Sequence, residues 1–150
     1  MTNQDKLRFT MAEWLAKYPW THWAHLRFNH DRISGEQAEK CLKGWRLKLI
    51  KRERLQVATF GIINHRPTSH LHILLMGINR QGKTLDDVED GNWKVYARLW
   101  PGSAVIDPIK DKGAIEYMAF ANTPAGHYEL LMPYNTKLLA RSFSKAPVIH

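Results

Sequence analysis

Ser69-His70-Leu71-His72-Ile73-Leu74-Leu75 is the stretch on which the architecture turns. Its short, mostly apolar run after the Asn64–Ser69 connection reads as a strand from His70 to Met76. Side chains at i and i+2 of a strand project from one face. His70 and His72 therefore stand side by side, with Leu71, Ile73 and Leu75 turned to the opposite, buried face. Two imidazoles so placed can offer ring nitrogens to one metal ion. A divalent ion needs further ligands, and hard phosphate oxygens can supply some of them. Two half-exposed histidines on a sheet surface satisfy the same spacing, so the pair by itself leaves both readings open.

Upstream, residues 55–63 read as another strand, joined through Asn64 to Ser69; so short a connection favours an antiparallel pair. Residues 20–28 (Trp-Thr-His-Trp-Ala-His-Leu-Arg-Phe) read as the first strand, with Trp20 and Trp23 on opposite faces by parity. A short helix over 10–18 ends before Pro19. Ser34-Gly35-Glu36-Gln37 has the form of a capping box and starts a long helix. Ala38, Cys41, Leu42, Trp45, Leu49 and Ile50 recur at helical spacing and give that helix an apolar face. Lys40, Lys43, Arg46, Lys48, Lys51, Arg52 and Arg54 crowd the rest of it, as a phosphate-tracking surface or a solvated side.

Downstream, Thr84 caps a helix running toward Leu99. A strand over 103–109 is broken by Pro108, a helix runs from Asp111 to Ala121, and the tail from His127 is mixed. The order β-α-β-β-α-β-α predicts an α+β fold with a central antiparallel sheet and helices over one face. No linker or repeat divides the chain, so residues 1–150 are expected to form a single domain.

The bulk properties agree with an ordinary globular protein, 44% hydrophobic and 24% charged over 150 residues. The single cysteine, Cys41, excludes a disulfide framework and a multi-cysteine zinc module. The N-terminus lacks an apolar signal region and no apolar run is long enough for a bilayer, so a cytoplasmic location without membrane association is expected. The 22 lysines and arginines against 14 aspartates and glutamates, net charge +8, favour a polyanionic partner.

Phe60-Gly61-Ile62-Ile63-Asn64, followed by His70-Leu71-His72 and its apolar continuation, resembles the histidine motif of HUH endonucleases of the rolling-circle replication-initiator type. Trp100-Pro101-Gly102 and the strand after it are similar to the W-x-G stretch that precedes the nucleophile helix in many initiators. Asp111-Lys112-Gly113-Ala114-Ile115-Glu116-Tyr117 resembles the start of that helix. The resemblance spans about residues 20–122 and implies the HUH fold, an RRM- or ferredoxin-like arrangement.

The resemblance also implies a reaction: Tyr117 attacks a phosphodiester of single-stranded DNA, leaving a 5′-phosphotyrosine and a free 3′-hydroxyl. A tyrosine hydroxyl with an ordinary pKa of about 10 needs help to do so at neutral pH. Mg²⁺ or Mn²⁺ held by His70 and His72, with Asn64 or His65 as further ligand, would supply it. Lys43, Arg46, Lys110 and Lys112 are the expected DNA contacts. Single-stranded or hairpin DNA is the implied partner, with a host helicase or polymerase as a further one. Two features depart from the family. Asn64 and His65 stand where an acidic ligand is common, and Tyr117-Met118-Ala119-Phe120 lacks the lysine of tyrosine-x-x-lysine.

Three other readings compete. A catalytically impaired protein of the same fold would bind DNA without cutting it. Gly77-Ile78-Asn79-Arg80-Gln81-Gly82-Lys83-Thr84 fits the P-loop pattern G-x-x-x-x-G-K-T after an apolar strand. However, too few residues follow Thr84 for a parallel nucleotide-binding core, and such a core would bury the histidine strand on both faces. An RNA-recognition domain would lack its Lys/Arg-Gly-aromatic run here.

Overall fold

The computed structural model describes residues 3–30, 32–65, 68–78, 95–109, 113, 115, 118, 128–131 and 133–136. In chain order these include α1 (Asn3–Ala16), β1 (His22–Arg27), α2 (Gly35–Arg52), β2 (Gln56–Asn64), β3 (His70–Ile78), β4 (Ala104–Pro108) and β5 (Tyr128–Leu130). The strands form one sheet in the order β4-β1-β3-β2-β5, every neighbouring pair antiparallel. β1 and β2 consequently run parallel with β3 between them, and α2 is the crossover that joins them. The fold is α+β with an antiparallel sheet and flanking helices.

Local chemistry explains the elements that place the site. Ser34 caps α2 as its sequence requires: its hydroxyl accepts from the Gln37 amide at 3.1 Å, and the Gln37 side chain accepts from the Ser34 amide at 3.1 Å. Ala38, Leu42, Trp45 and Leu49 of α2 pack on Ala24, Leu26, Leu71, Ile73 and Leu75. The Trp45 indole is satisfied by donating to the Tyr96 carbonyl.

The other sheet face is covered too. Leu15, Trp20, Phe60, Ile62, Leu74, Met76 and Met118 form a second core, against which Trp14, Tyr18, Trp23 and Ile115 pack. Helices over one face only were expected; α1 and the helical positions 115 and 118 cover the second. All of β3 is therefore buried. Burial on both faces was also the objection to histidines in a nucleotide-binding strand, and it loses its force. Antiparallel pairing on both flanks of β3 is what sets this sheet apart from a parallel core.

Other corrections concern boundaries. α1 begins at Asn3, not near residue 10, and its last turn closes through Lys17 N–Trp14 O and Tyr18 N–Leu15 O before Pro19. Trp20 precedes β1, so strand parity does not govern it. Its indole donates to Leu15 O, which brings Trp20 to the same side as Trp23. The tail contributes β5, paired with β2 through Ile62–Leu130 and Asn64–Tyr128. Most of the helix expected over 84–99 lies outside the described residues; 95–98 are helical. Among the described residues no helix is long and apolar enough to cross a membrane.

Candidate metal centre

β3 is the central strand, and its residues from His70 to Leu75 have a partner on both flanks. His72 pairs with His25 of β1 and with Ile62 of β2; His70 pairs with Arg27 and with Asn64. Directly opposed and diagonal side chains on one face lie within reach of each other. His25, His70 and His72 accordingly form one group, with ring centroids 4.6 Å apart for His25–His72, 4.9 Å for His70–His72 and 5.0 Å for His25–His70. Each offers a ring nitrogen, and these atoms lie within 4.8 Å of one another. Nitrogens about 2.1 Å from a shared ion are at most about 4.2 Å apart, so modest ring rotations suffice to close the set.

The donor chemistry fits a metal. His70 Nδ1 donates to the Thr68 carbonyl at 2.8 Å, which fixes the tautomer and leaves the Nε2 lone pair for a ligand. His25 Nε2 is buried with no hydrogen-bond partner among the described residues. Burial pushes the His72 pKa down to about 4, helped by His25, His70 and Arg27. His25 is also lowered, by burial first and then by His70 and Arg27. Imidazoles held neutral keep the lone pairs that coordination requires.

His25 was given no role in the sequence reading. The one available signal was parity: His25 shares a β1 face with Trp23 and Arg27. Strand order and register, which bring it to His72, are not written in any single segment.

The other expected site residues separate. Asn64 lies opposite His70 on the same sheet face. His65 Nδ1 lies 3.1 Å from Ser69 Oγ, which also bonds the Ile33 backbone, and His65 is not in the histidine group. Arg46, expected to contact DNA, is buried: it donates to Thr59 Oγ1 at 3.1 Å and stacks 4.2 Å from the Tyr134 ring centroid. Its length and charge serve the packing of α2 on β2. Lys43 is exposed, but α2 occupies the face opposite the histidines. Tyr117, Lys110 and Lys112 lie outside the described residues. Of the P-loop pattern, Gly77 and Ile78 belong to β3, paired with Val57 and Gln56, and residues 79–84 lie outside the described set.

Trp100-Pro101-Gly102 has a packing role. The Trp100 indole donates to the Arg27 carbonyl at 2.8 Å from within the α2-side core. A Cβ on Gly102 would collide with the same carbonyl. The turn thus sets β4 beside β1.

No family model and no curated protein matches the chain. It is similar to a solved structure, that of the hypothetical protein ORF119 from Sulfolobus islandicus rod-shaped virus 1, at 15% identity and a TM-score of 0.48. That alignment covers 77% of this chain and 94% of the other.

Proposed function

We propose that the protein is a metal-dependent endonuclease that nicks and rejoins single-stranded DNA through Tyr117, in the manner of HUH replication initiators. The observation that carries this reading is the convergence of His25, His70 and His72 on one covered sheet face. Ile115 and Met118, which flank Tyr117 in sequence, pack in the core on that face.

His25, His70 and His72 would hold the ion, with Asn64 across from His70 as a further oxygen donor. Three imidazoles among the ligands favour Mn²⁺ over Mg²⁺, which prefers an all-oxygen shell. The bound ion would polarise the scissile phosphate. The Tyr117 oxygen forms a bond to phosphorus and its proton passes to solvent. The bond to the 3′ oxygen breaks, and that oxygen takes a proton to become the 3′-hydroxyl. The phosphotyrosine conserves a phosphodiester, so the reverse attack reseals the strand.

Incubation with labelled single-stranded DNA and Mn²⁺ is expected to give a covalent adduct on a denaturing gel. Loss of that adduct in Tyr117→Phe and His72→Ala supports the reading; an adduct that persists in Tyr117→Phe removes the nucleophile assignment. DNA binding without any adduct would favour the non-cutting alternative.

A further inference from the structure

The described basic side chains of α2 lie on or under the sheet face away from the histidines, which leaves the site itself to be supplied with charge. Arg27 is on the histidine face. It is the last residue of β1, directly opposite His70 and two residues from His25. It is exposed, whereas His70 and His72 are each only 7% exposed. The row across the sheet is therefore Arg27–His70–Asn64–Tyr128, with an exposed cation at its β1 end. The backbone of Arg27 is fixed on both sides, by its amide to Ser103 O at 2.8 Å and by its carbonyl to the Trp100 indole.

We propose that Arg27 is the phosphate-binding residue of this site, its guanidinium clamping the non-bridging oxygens of a nucleic-acid phosphate beside the histidine group. The planar fork of arginine matches two phosphate oxygens at once, which a lysine cannot do. An anion is also what a cation beside a metal site requires: without one, Arg27 and the ion repel each other. The proposal rests on the nicking reading for the identity of the anion. Arg27 would stand in for the lysine missing from the tyrosine-x-x-lysine pattern at Tyr117–Phe120.

The test compares wild type, Arg27→Gln and Arg27→Lys in two measurements. Fluorescence anisotropy follows a labelled single-stranded oligonucleotide across a salt series with Mn²⁺; calorimetry follows Mn²⁺ alone. Arg27→Gln is expected to weaken the oligonucleotide about tenfold and to reduce the salt slope by about 0.7, one phosphate contact's worth on a single strand. Arg27→Lys should regain the slope but only part of the affinity. Mn²⁺ affinity should stay the same or rise in Arg27→Gln, an outcome that general damage to the site cannot produce. Unchanged oligonucleotide affinity and slope in Arg27→Gln overturns the proposal, as does weakened Mn²⁺ binding. An adduct with no Arg27 dependence sinks this inference alone; Arg27-dependent binding with no adduct sinks the nicking reading alone.

Discussion

His25 and His72 stand directly opposite each other on β1 and β3, their rings stacked with 25° between the planes. Stacked imidazoles with no cation between them need one or both to stay neutral, and burial keeps them so. A third ring, His70, closes the group. Replacing His25 tests whether this arrangement is a ligand set. In wild type, Mn²⁺ at a hundred times its Kd should add about 2.7 kcal/mol of stability. His25→Ala is expected to lose most of that gain in a thermal-shift measurement with Mn²⁺ while still folding without it. Equal Mn²⁺ stabilisation in the two proteins would remove His25 from the ligand set.

Stability should depend on pH in a defined direction. His22 and His72 have pKa values lowered by burial to about 4, against an ordinary 6.5. Between those values the unfolded chain binds protons that the folded chain does not, so stability rises with pH. The stabilisation is fully present above about pH 6.5 and is lost as pH falls toward 4, at about 1.4 kcal/mol per pH unit for each histidine. Urea denaturation at several pH values, without metal, reads this directly. A flat profile across that window would mean that neither ring is protected from protonation.

The Trp100-Pro101-Gly102 turn makes a steric prediction. Gly102→Ala places a methyl group against the Arg27 carbonyl and the Trp100 indole nitrogen. The expected cost is about 1–3 kcal/mol, the usual range for overpacking a fixed site. Urea denaturation measures it, and a loss below about 0.5 kcal/mol would show that the turn can shift freely.

Arg46 and Lys43 are one turn apart on α2 and should behave oppositely. Arg46→Ala leaves Thr59 Oγ1 without its guanidinium partner and strips the Tyr134 ring of its cation. The expected destabilisation is about 1–3 kcal/mol. Lys43→Ala, at an exposed position, should leave stability within about 0.5 kcal/mol. Neither substitution should alter Mn²⁺ binding, because α2 packs on the far side of the sheet. Altered metal affinity in Lys43→Ala would contradict the two-faced arrangement.

The sheet was legible where a local rule determines structure. The Ser34–Gln37 capping box placed the start of α2, and period-two spacing put His70 and His72 on one face. What local rules could not supply was which segments lie side by side. The ring opposite His72 comes from a strand some fifty residues earlier, and β5 joins β2 from more than sixty residues downstream. Trp20 misled parity because the strand had not yet begun at that position. Arg46 read as a solvent-facing cation because sequence shows its charge but not the aromatic ring and hydroxyl that enclose it.

The Arg27 carbonyl receives the Trp100 indole from the core beneath α2, while the Arg27 side chain lies on the histidine face. One residue thereby couples the oily side of the molecule to the proposed metal centre. The histidine group borrows its stiffness from an aromatic latch on the reverse of the sheet. On warming, fraying of the β1–β4 margin should release Mn²⁺ before the remaining strands melt. Mn²⁺ electron paramagnetic resonance recorded alongside calorimetry would separate the two events, and Trp100→Phe should widen the gap between them.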